Sequence, residues 1–277
     1  MTHKGKLGSG ASAPPFSFSE VKAITSDKFC KIYSRKEIVK TLDSSKTLFS
    51  YEFNEHYHST KDGAFSESLY KHIIPAFKYQ QDKKTIRILD ICYGLGYNTL
   101  ATLYYIEKNN LDIRVEIISP EFDLELINSL KDFDYPKEFD KFKDIIISLS
   151  ETQKYQDDKY KIEILIGDAR DSIPKLKEKF DIVYQDAFSP QNNPTLWTRE
   201  FFRDIKNIIK DDGVVTTYSI SLATRLALYE NGFNLFLYED KHIRSSTIAS
   251  PKLLNDIELV DMPHKIKINP NAKSLRD

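Results

Sequence analysis

Ile86-Arg-Ile-Leu-Asp-Ile-Cys-Tyr-Gly-Leu-Gly-Tyr-Asn-Thr-Leu100 carries the reading of the fold. An apolar run ends near Ile91, a turn holds Gly94 and Gly96, and a helical pattern continues from Tyr97 to Lys108. This predicts a strand, a tight turn and a helix whose amino terminus faces whatever lies above the turn. Glycine lets the backbone turn sharply and lets a ligand approach the main chain. A dinucleotide-binding turn favours a third glycine, and Asn98 stands there instead. By itself the two-glycine turn is shared by many folds.

Working outward, three further acids follow apolar runs. Arg114-Val-Glu-Ile-Ile-Ser-Pro-Glu121 ends in Glu121, and Lys161-Ile-Glu-Ile-Leu-Ile-Gly167 delivers Asp168-Ala-Arg170. Phe180-Asp-Ile-Val-Tyr-Gln185 leads into Asp186-Ala-Phe-Ser-Pro-Gln-Asn-Asn-Pro-Thr-Leu-Trp-Thr198, a loop held by Pro190 and Pro194. Each acid, read alone, is explained by capping the helix that follows. Together with Asp90 they put four carboxylates at strand carboxyl ends, where open α/β sheets bind ligands. An acid in the position of Glu121 accepts the two hydroxyls of a ribose in such folds. The pattern predicts a nucleoside pocket at one edge of the sheet.

Strands are expected near 86–91, 113–119, 161–166, 180–185, 213–218, 233–239 and 243–249. Helices are expected near 97–108, 123–131, 172–178, 196–209 and 221–230, with turns at Asp211-Asp-Gly213 and Asn231-Gly232. Strands alternating with helices predict an α/β protein with a mostly parallel sheet covered on both faces. The last two strands lie too close for a crossover helix and should form an antiparallel hairpin. A Rossmann-like, seven-stranded sheet ending in such a hairpin is the architecture of class I S-adenosylmethionine-dependent methyltransferases. Residues 132–160 break the alternation and predict an inserted helix near 138–150, a candidate wall for the substrate.

The division expected is a disordered leader over 1–25, an N-terminal β-rich cap over 26–80, the Rossmann-like domain over 81–250 and a C-terminal extension over 251–277. Within the cap, residues 41–50 predict a hairpin turning at Asp43-Ser44-Ser45, and a helix runs from Ala64 to about His72 and on towards Pro75.

With 277 residues, 40% apolar and 29% charged, the chain has a globular composition. The formal charge of −1 announces no nucleic-acid partner, yet residues 1–48 hold nine Lys and Arg against four acids. Residues 241–277 hold seven against four. Such basic ends would suit a phosphate backbone, or equally a solvated tail. Two cysteines, Cys30 and Cys92, lack metal or disulfide spacing and fit a reducing cytoplasm. His56-x-His58 lacks a third ligand at useful spacing, so no metal is expected. No apolar run reaches the length of a membrane span.

The chain resembles the MnmC-like tRNA methyltransferase family over roughly residues 41–250. The resemblance rests on Tyr57-His-Ser-x-x-x-Gly63-Ala with Glu67-Ser68, Gly94-x-Gly96-x-Asn98, Pro120-Glu121 and Gly167-Asp168. The most specific carrier is the Asp186 to Thr198 segment; Thr217-Tyr-Ser219 and Ala227-x-x-x-x-Gly232-Phe complete it. It implies S-adenosyl-L-methionine as cofactor and, as substrate, the 5-aminomethyl-2-thiouridine of a tRNA anticodon loop at the wobble position.

Carried over residue by residue, it implies Asp186 as the catalytic group orienting the amine. Asp90, Gly94, Gly96, Asn98, Glu121, Asp168, Ala169, Asp186 and Glu67 would hold the cofactor. Tyr57, Phe188, Pro190, Trp197 and Tyr218 would face the substrate. For Trp197, core packing is an even alternative.

Three departures stand out. Cys92 occupies the family's usual first glycine of the turn, and Lys241-His-Ile-Arg244 is a thin basic stretch after the sixth strand. No flavin domain follows, so neither FAD nor the oxidative step is expected, and a separate oxidoreductase is left open as a partner. Two rival readings remain. One is an aminopropyltransferase of the spermidine-synthase kind, disfavoured by the neutral Gln191, Asn192 and Asn193. The other is a catalytically silent methyltransferase fold that binds RNA.

Overall fold

The computed structural model describes residues 35–277. The expected leader and Cys30 lie outside the described residues, as does the start of the cap. The chain enters through β1 (Lys36–Lys40), β2 (Lys46–Ser50) and the short β3 (Glu55–His56), a three-stranded antiparallel sheet. The hairpin turns where the sequence places it. Asp43 Oδ1 accepts the Ser45 N–H at 3.0 Å, and Ser44 takes a left-handed φ of 69°.

Helix α1 follows as an α turn (Ala64–Glu67), a π stretch (Ser68–Ile73) and a further α stretch (Ile74–Lys78). Pro75, expected near the end of this helix, lies inside it. The widened π turn skips a donor, and Pro75, which has none to give, falls where the α ladder resumes.

The main sheet begins with β4 (Thr85–Ile91), then α2 (Tyr97–Lys108), β5 (Arg114–Glu121) and α3 (Leu124–Ser129). Next come α4 (Lys143–Thr152), β6 (Lys154–Gln156), β7 (Tyr160–Ile166), α5 (Ala169–Ser172) and β8 (Phe180–Gln185). The chain closes with α6 (Arg199–Ile208), β9 (Ile209–Thr217), α7 (Leu222–Tyr229), β10 (Asn234–Asp240), β11 (Ile243–Ser250), β12 (Glu258–Leu259) and α8 (Met262–Ile268).

The sheet order is β12-β10-β11-β9-β8-β4-β5-β7-β6. Strands β7, β5, β4, β8 and β9 run parallel, and β11 pairs antiparallel with both β9 and β10. The seven expected strands and their terminal hairpin are all present. Two short antiparallel edge strands, β6 on β7 and β12 on β10, raise the total to nine.

Three expectations need correction. The helix expected over 172–178 starts earlier, because Asp168 caps it through the Arg170 N–H at 2.8 Å, and it tightens at Pro174 into a 3-10 turn. Asp211-Asp-Gly213 forms no separate turn; it is absorbed in β9, where the pairing with β8 shifts register between Phe180 and Ile182. Residues 132–160 form no substrate wall. Phe133, Phe139, Phe142, Ile145 and Leu149 are buried in the core on the face of the sheet that carries α2. Phe139 meets Tyr97 at 5.8 Å and Phe65 at 5.1 Å, so this segment is drawn inward by apolar burial.

Period-two alternation divides the sheet into two apolar faces. Ile86 and Ile88 of β4 join Tyr97, Leu100 and Leu103 of α2 on one side. Leu89 and Ile91 join Phe201, Phe202 and Ile205 of α6 on the other. Leu48 of the cap belongs to the first cluster, so the cap shares the main core. Near the chain end, Leu275 accepts the Arg199 N–H at 2.9 Å and buttresses the start of α6. Among the described residues no helix is long and apolar enough to cross a membrane.

Candidate active site

The turn from β4 to α2 is built on left-handed residues: Cys92 at φ 68°, Gly94 at 53° and Gly96 at 73°. A Cβ on Gly96 would meet the Tyr93 ring at 2.7 Å, so this position admits only glycine. The Gly94 N–H donates to Glu121 Oε2 at 2.8 Å, and the Asp123 N–H donates to Oε1 at 2.9 Å. Burial raises the Glu121 carboxyl above the ordinary range, and the two backbone donors offset only part of that rise. Each Glu121 oxygen has one of its lone pairs engaged this way. At the end of β7, Asp168 spends Oδ1 on its own helix.

These groups enclose a cavity of about 290 Å³, lined by Gly94, Asn98, Glu121, Asp168, Ala169 and Asp186 among others. Phe53, Tyr57, Phe122 and Phe188 also line it. Phe53 stacks on Phe188 at 4.6 Å between centroids, so one ring from the cap and one from the loop after β8 meet here.

Asp186 sits where this cavity meets a second one of about 500 Å³. Tyr57, His58, Asp186 and Phe188 line both. The second cavity is also walled by Glu67, Lys71, Tyr218 and Arg244. Asp186 Oδ2 accepts from Asn98 Nδ2 at 2.9 Å, and Oδ1 lies 3.4 Å from His72 Nε2. Burial alone would raise the Asp186 carboxyl, but the fields of His72 and His58 and the Asn98 amide outweigh it and hold the group below the usual range. Asn98 Nδ2 also faces Asp90 Oδ1 at 3.3 Å, so two carboxylates fix the orientation of the amide. Its Oδ1, on a side chain that lines the first cavity, is buried without a partner.

The loop after β8 is rigidly held. Trp197 Nε1 donates to Phe188 O at 2.8 Å, Tyr218 Oη to Ala187 O at 2.9 Å, and Gln185 Nε2 to Leu196 O at 2.8 Å. From the cap, Glu55 accepts the Ser189 N–H at 3.0 Å, the Ser189 hydroxyl at 2.7 Å and Asn192 Nδ2 at 2.7 Å.

The structure brings Gly94, Asn98, Glu121, Asp168, Ala169, Asp186, Tyr57 and Phe188 to the first cavity, and Tyr218 to the second. Four expected residues fall elsewhere. Asp90 is fully buried behind the turn, bonded by Thr99 Oγ1 at 2.9 Å, with its carboxyl pushed up to about 7 by burial. Thus three of the four strand-end acids line the cleft. Gly96 shapes the turn without lining it, and Pro190 lines neither cavity. Trp197 is fully buried in the core against Phe202 and Tyr218 and lines neither cavity.

Glu67, expected at the cofactor, instead lines the second cavity and pairs with Lys71 at 2.6 Å. Sequence reasoning missed His72, Glu55 and Phe53. The only signal for His72 was a polar residue beside Ile73-Ile74 at the apolar end of a helical stretch. Among the described residues no group of three or more His, Cys, Asp and Glu side chains is arranged to hold a metal ion.

A family described as S-adenosyl-L-methionine-dependent methyltransferase matches residues 137–248. An uncharacterized protein of Methanocaldococcus jannaschii is 34% identical over 196 residues, 71% of this chain and 54% of that protein. The tRNA 5-methylaminomethyl-2-thiouridine biosynthesis bifunctional protein MnmC of Burkholderia vietnamiensis is 28% identical over 212 residues, 68% of this chain and 31% of that protein. The chain therefore spans about half or less of the length of these two relatives. The crystal structure of MnmC2 from Aquifex aeolicus matches with a TM-score of 0.78 and 34% identity, covering 92% of this chain and 87% of that one. With the strand order, the two-glycine turn and the Asp186 loop, this likeness means that the chain belongs to the MnmC-like family of S-adenosyl-L-methionine-dependent methyltransferases.

Proposed function

We propose that the protein transfers a methyl group from S-adenosyl-L-methionine to the amine of 5-aminomethyl-(2-thio)uridine at the tRNA wobble position, giving 5-methylaminomethyl-(2-thio)uridine. The observation that carries this reading is Asp186, a buried carboxylate in the wall shared by two cavities. The Burkholderia relative, a bifunctional protein of tRNA 5-methylaminomethyl-2-thiouridine biosynthesis, supports the substrate.

The residues of the first cavity fit the cofactor. Free lone pairs on Glu121 suit the ribose hydroxyls, and the uncommitted Asp168 Oδ2 suits an adenine amino group. The buried, unpartnered Asn98 Oδ1 needs a donor, and the α-ammonium of the methionine part offers one. When bound, S-adenosyl-L-methionine supplies an electrophilic methyl group on a sulfonium.

Asp186 orients the acceptor. An alkylammonium titrates near lysine, about 10, and an ordinary carboxyl near about 4, so Asp186 is a poor sink for the amine proton. Its depressed value makes it poorer still. It instead accepts one amine N–H, which turns the nitrogen lone pair towards the first cavity. The acceptor ammonium would first lose a proton to water. Held by Asp186, the neutral amine would then be placed to take the methyl group that bound S-adenosyl-L-methionine would supply, its sulfur keeping the bonding pair. The product ammonium would give its extra proton to water. Alignment of this kind is worth on the order of 7–11 kcal/mol. The rings of Phe188 and Tyr218 wall the second cavity and suit the faces of an unpaired base.

The test is turnover on tRNA bearing 5-aminomethyl-2-thiouridine, read by nucleoside analysis. Asp186→Ala should lower kcat by about 10²-fold or more, with cofactor affinity within about twofold of the parent. Absence of methylation by the parent protein with cofactor bound would overturn the reading. Calorimetric preference for decarboxylated S-adenosylmethionine would point to aminopropyl transfer.

A further inference from the structure

His72 is fully buried in the π stretch of α1 and has no role in the chemistry above. Its Nδ1 lies 2.9 Å from Thr216 Oγ1 on β9, and its Nε2 faces Asp186 Oδ1 at 3.4 Å with no hydrogen-bond partner. Thr216 is itself fully buried, and this is the contact its hydroxyl makes. On the far side, Asn98 holds the other Asp186 oxygen. The carboxylate is therefore flanked by His72 on α1 and bonded by Asn98 on α2, and Asp186 lines both cavities.

We propose that His72, locked by Thr216, is a positioning residue that sets the orientation of Asp186 towards the acceptor amine. This rests on the reading that Asp186 meets an amine.

The proton arrangement follows from the neighbours. A bare Nε2 lone pair opposite a carboxylate would be repelled, so Nε2 carries a proton. In the neutral ring Thr216 then donates its hydroxyl to Nδ1, which fixes the tautomer. At 3.4 Å the Nε2 contact is longer than an ordinary N–H···O bond, and such bonds shorten when a reacting group is seated. A histidine whose far nitrogen is held and whose near nitrogen faces the working group is the orienting member of a relay. Its placement in a π stretch agrees with the tendency of such turns to sit at functional sites.

Other groups also face Asp186. His58 comes from the segment after β3, Asp90 from the end of β4, Cys92 from the turn and Tyr218 from the segment after β9. His72 and His58 favour the carboxylate, whereas Asp90, its carboxyl pushed up to about 7, holds its proton where Asp186 titrates. Removing His72 leaves the burial penalty on Asp186 with less opposition. kcat/KM falls with protonation of the acceptor amine below about pH 10, and the further acid limb, where protonation of Asp186 adds to that fall, should then move to higher pH.

The experiment compares His72→Phe, His72→Gln and Thr216→Val with the parent, each checked by thermal melting and by cofactor affinity. His72→Phe should lower kcat about 10²-fold, keep the cofactor Kd within about twofold and raise the acid limb. His72→Gln, which can present an amide N–H, should recover part of both losses, and Thr216→Val should show a weaker form of both. A merely structural role would depress melting and overall activity while leaving the acid limb in place, and that result would overturn the proposal. A second arm needs no acceptor: one-bond nitrogen–proton spectra of labelled histidine in the parent and in Asp186→Asn. A protonated Nε2 on His72 that shifts in Asp186→Asn supports the pairing, and an unprotonated Nε2 sinks it. If the parent fails to methylate the aminomethyl uridine, the substrate reading falls while this spectrum still decides the pairing.

Discussion

Asp90 and Asp186 are two buried carboxyls that share the amide of Asn98, yet their environments push them in opposite directions. Asp186 is held low by its histidines, whereas Asp90, with less compensation, rises to about 7. Between its unfolded value near 3.8 and about 7, the native chain keeps a proton on Asp90 that the unfolded chain releases. That contribution to stability therefore declines as pH rises through this window and is level above it. Asp90→Asn keeps an oxygen for the Thr99 hydroxyl and removes the titration. Denaturant unfolding should show this variant gaining on the parent between about pH 4 and about pH 7. Identical pH profiles would mean that Asp90 is already ionised at low cost.

Cys92 raises a different question at the same scale. An L side chain at φ 68° is strained by roughly 1–2 kcal/mol, and glycine is not. Cys92→Gly and Cys92→Ala both delete the thiol, so their difference isolates the backbone. The glycine variant should be the more stable by about 1 kcal/mol in urea unfolding, after allowance for its looser unfolded chain. An alanine variant of equal or greater stability would show the turn to be relaxed.

At the scale of elements, the loop after β8 behaves as part of the cap as much as of the sheet. Glu55 is the link, since it receives both donors of Ser189 and the Asn192 amide. Charge-assisted bonds of this kind contribute about 1.5–3 kcal/mol each. Glu55→Ala should speed amide exchange at Ser189 by on the order of 10-fold or more and lower the melting point. Unaltered exchange would show that Trp197 and Tyr218 hold the loop unaided.

The strands and the helix α2 were legible because their signals are local: apolar runs, two glycines, and a helical pattern that α2 follows from Tyr97 to Lys108. The start of α5 was legible too, since the capping reading of Asp168 places it at the next residue, earlier than the helical pattern alone. The β9 bulge was not, since it depends on pairing with Phe180 of β8.

Across the whole molecule, what the sequence hid is what long-range topology creates. His72 reads as an ordinary helix residue until α1 packs on β9 and brings it to Thr216 and Asp186. Trp197, an aromatic in a motif-rich loop, reads equally as a base platform or as core; apolar burial on the α6 side decides for the core. Asp90 shares a strand end with a ligand-facing turn, but its side chain points behind that turn, a difference of direction that spacing does not encode. The expected sheet emerged nearly intact, while Phe53, Glu55 and His72 joined the site only through the folded arrangement.

Tyr57, His58, Asp186 and Phe188 present themselves to both chambers at once. On the proposed reading, donor and acceptor pockets are two sides of one partition, and the side chains standing in it face both. On that reading, the range of accepted amines is best broadened at positions such as Ile220 or Arg244, which line only the second cavity.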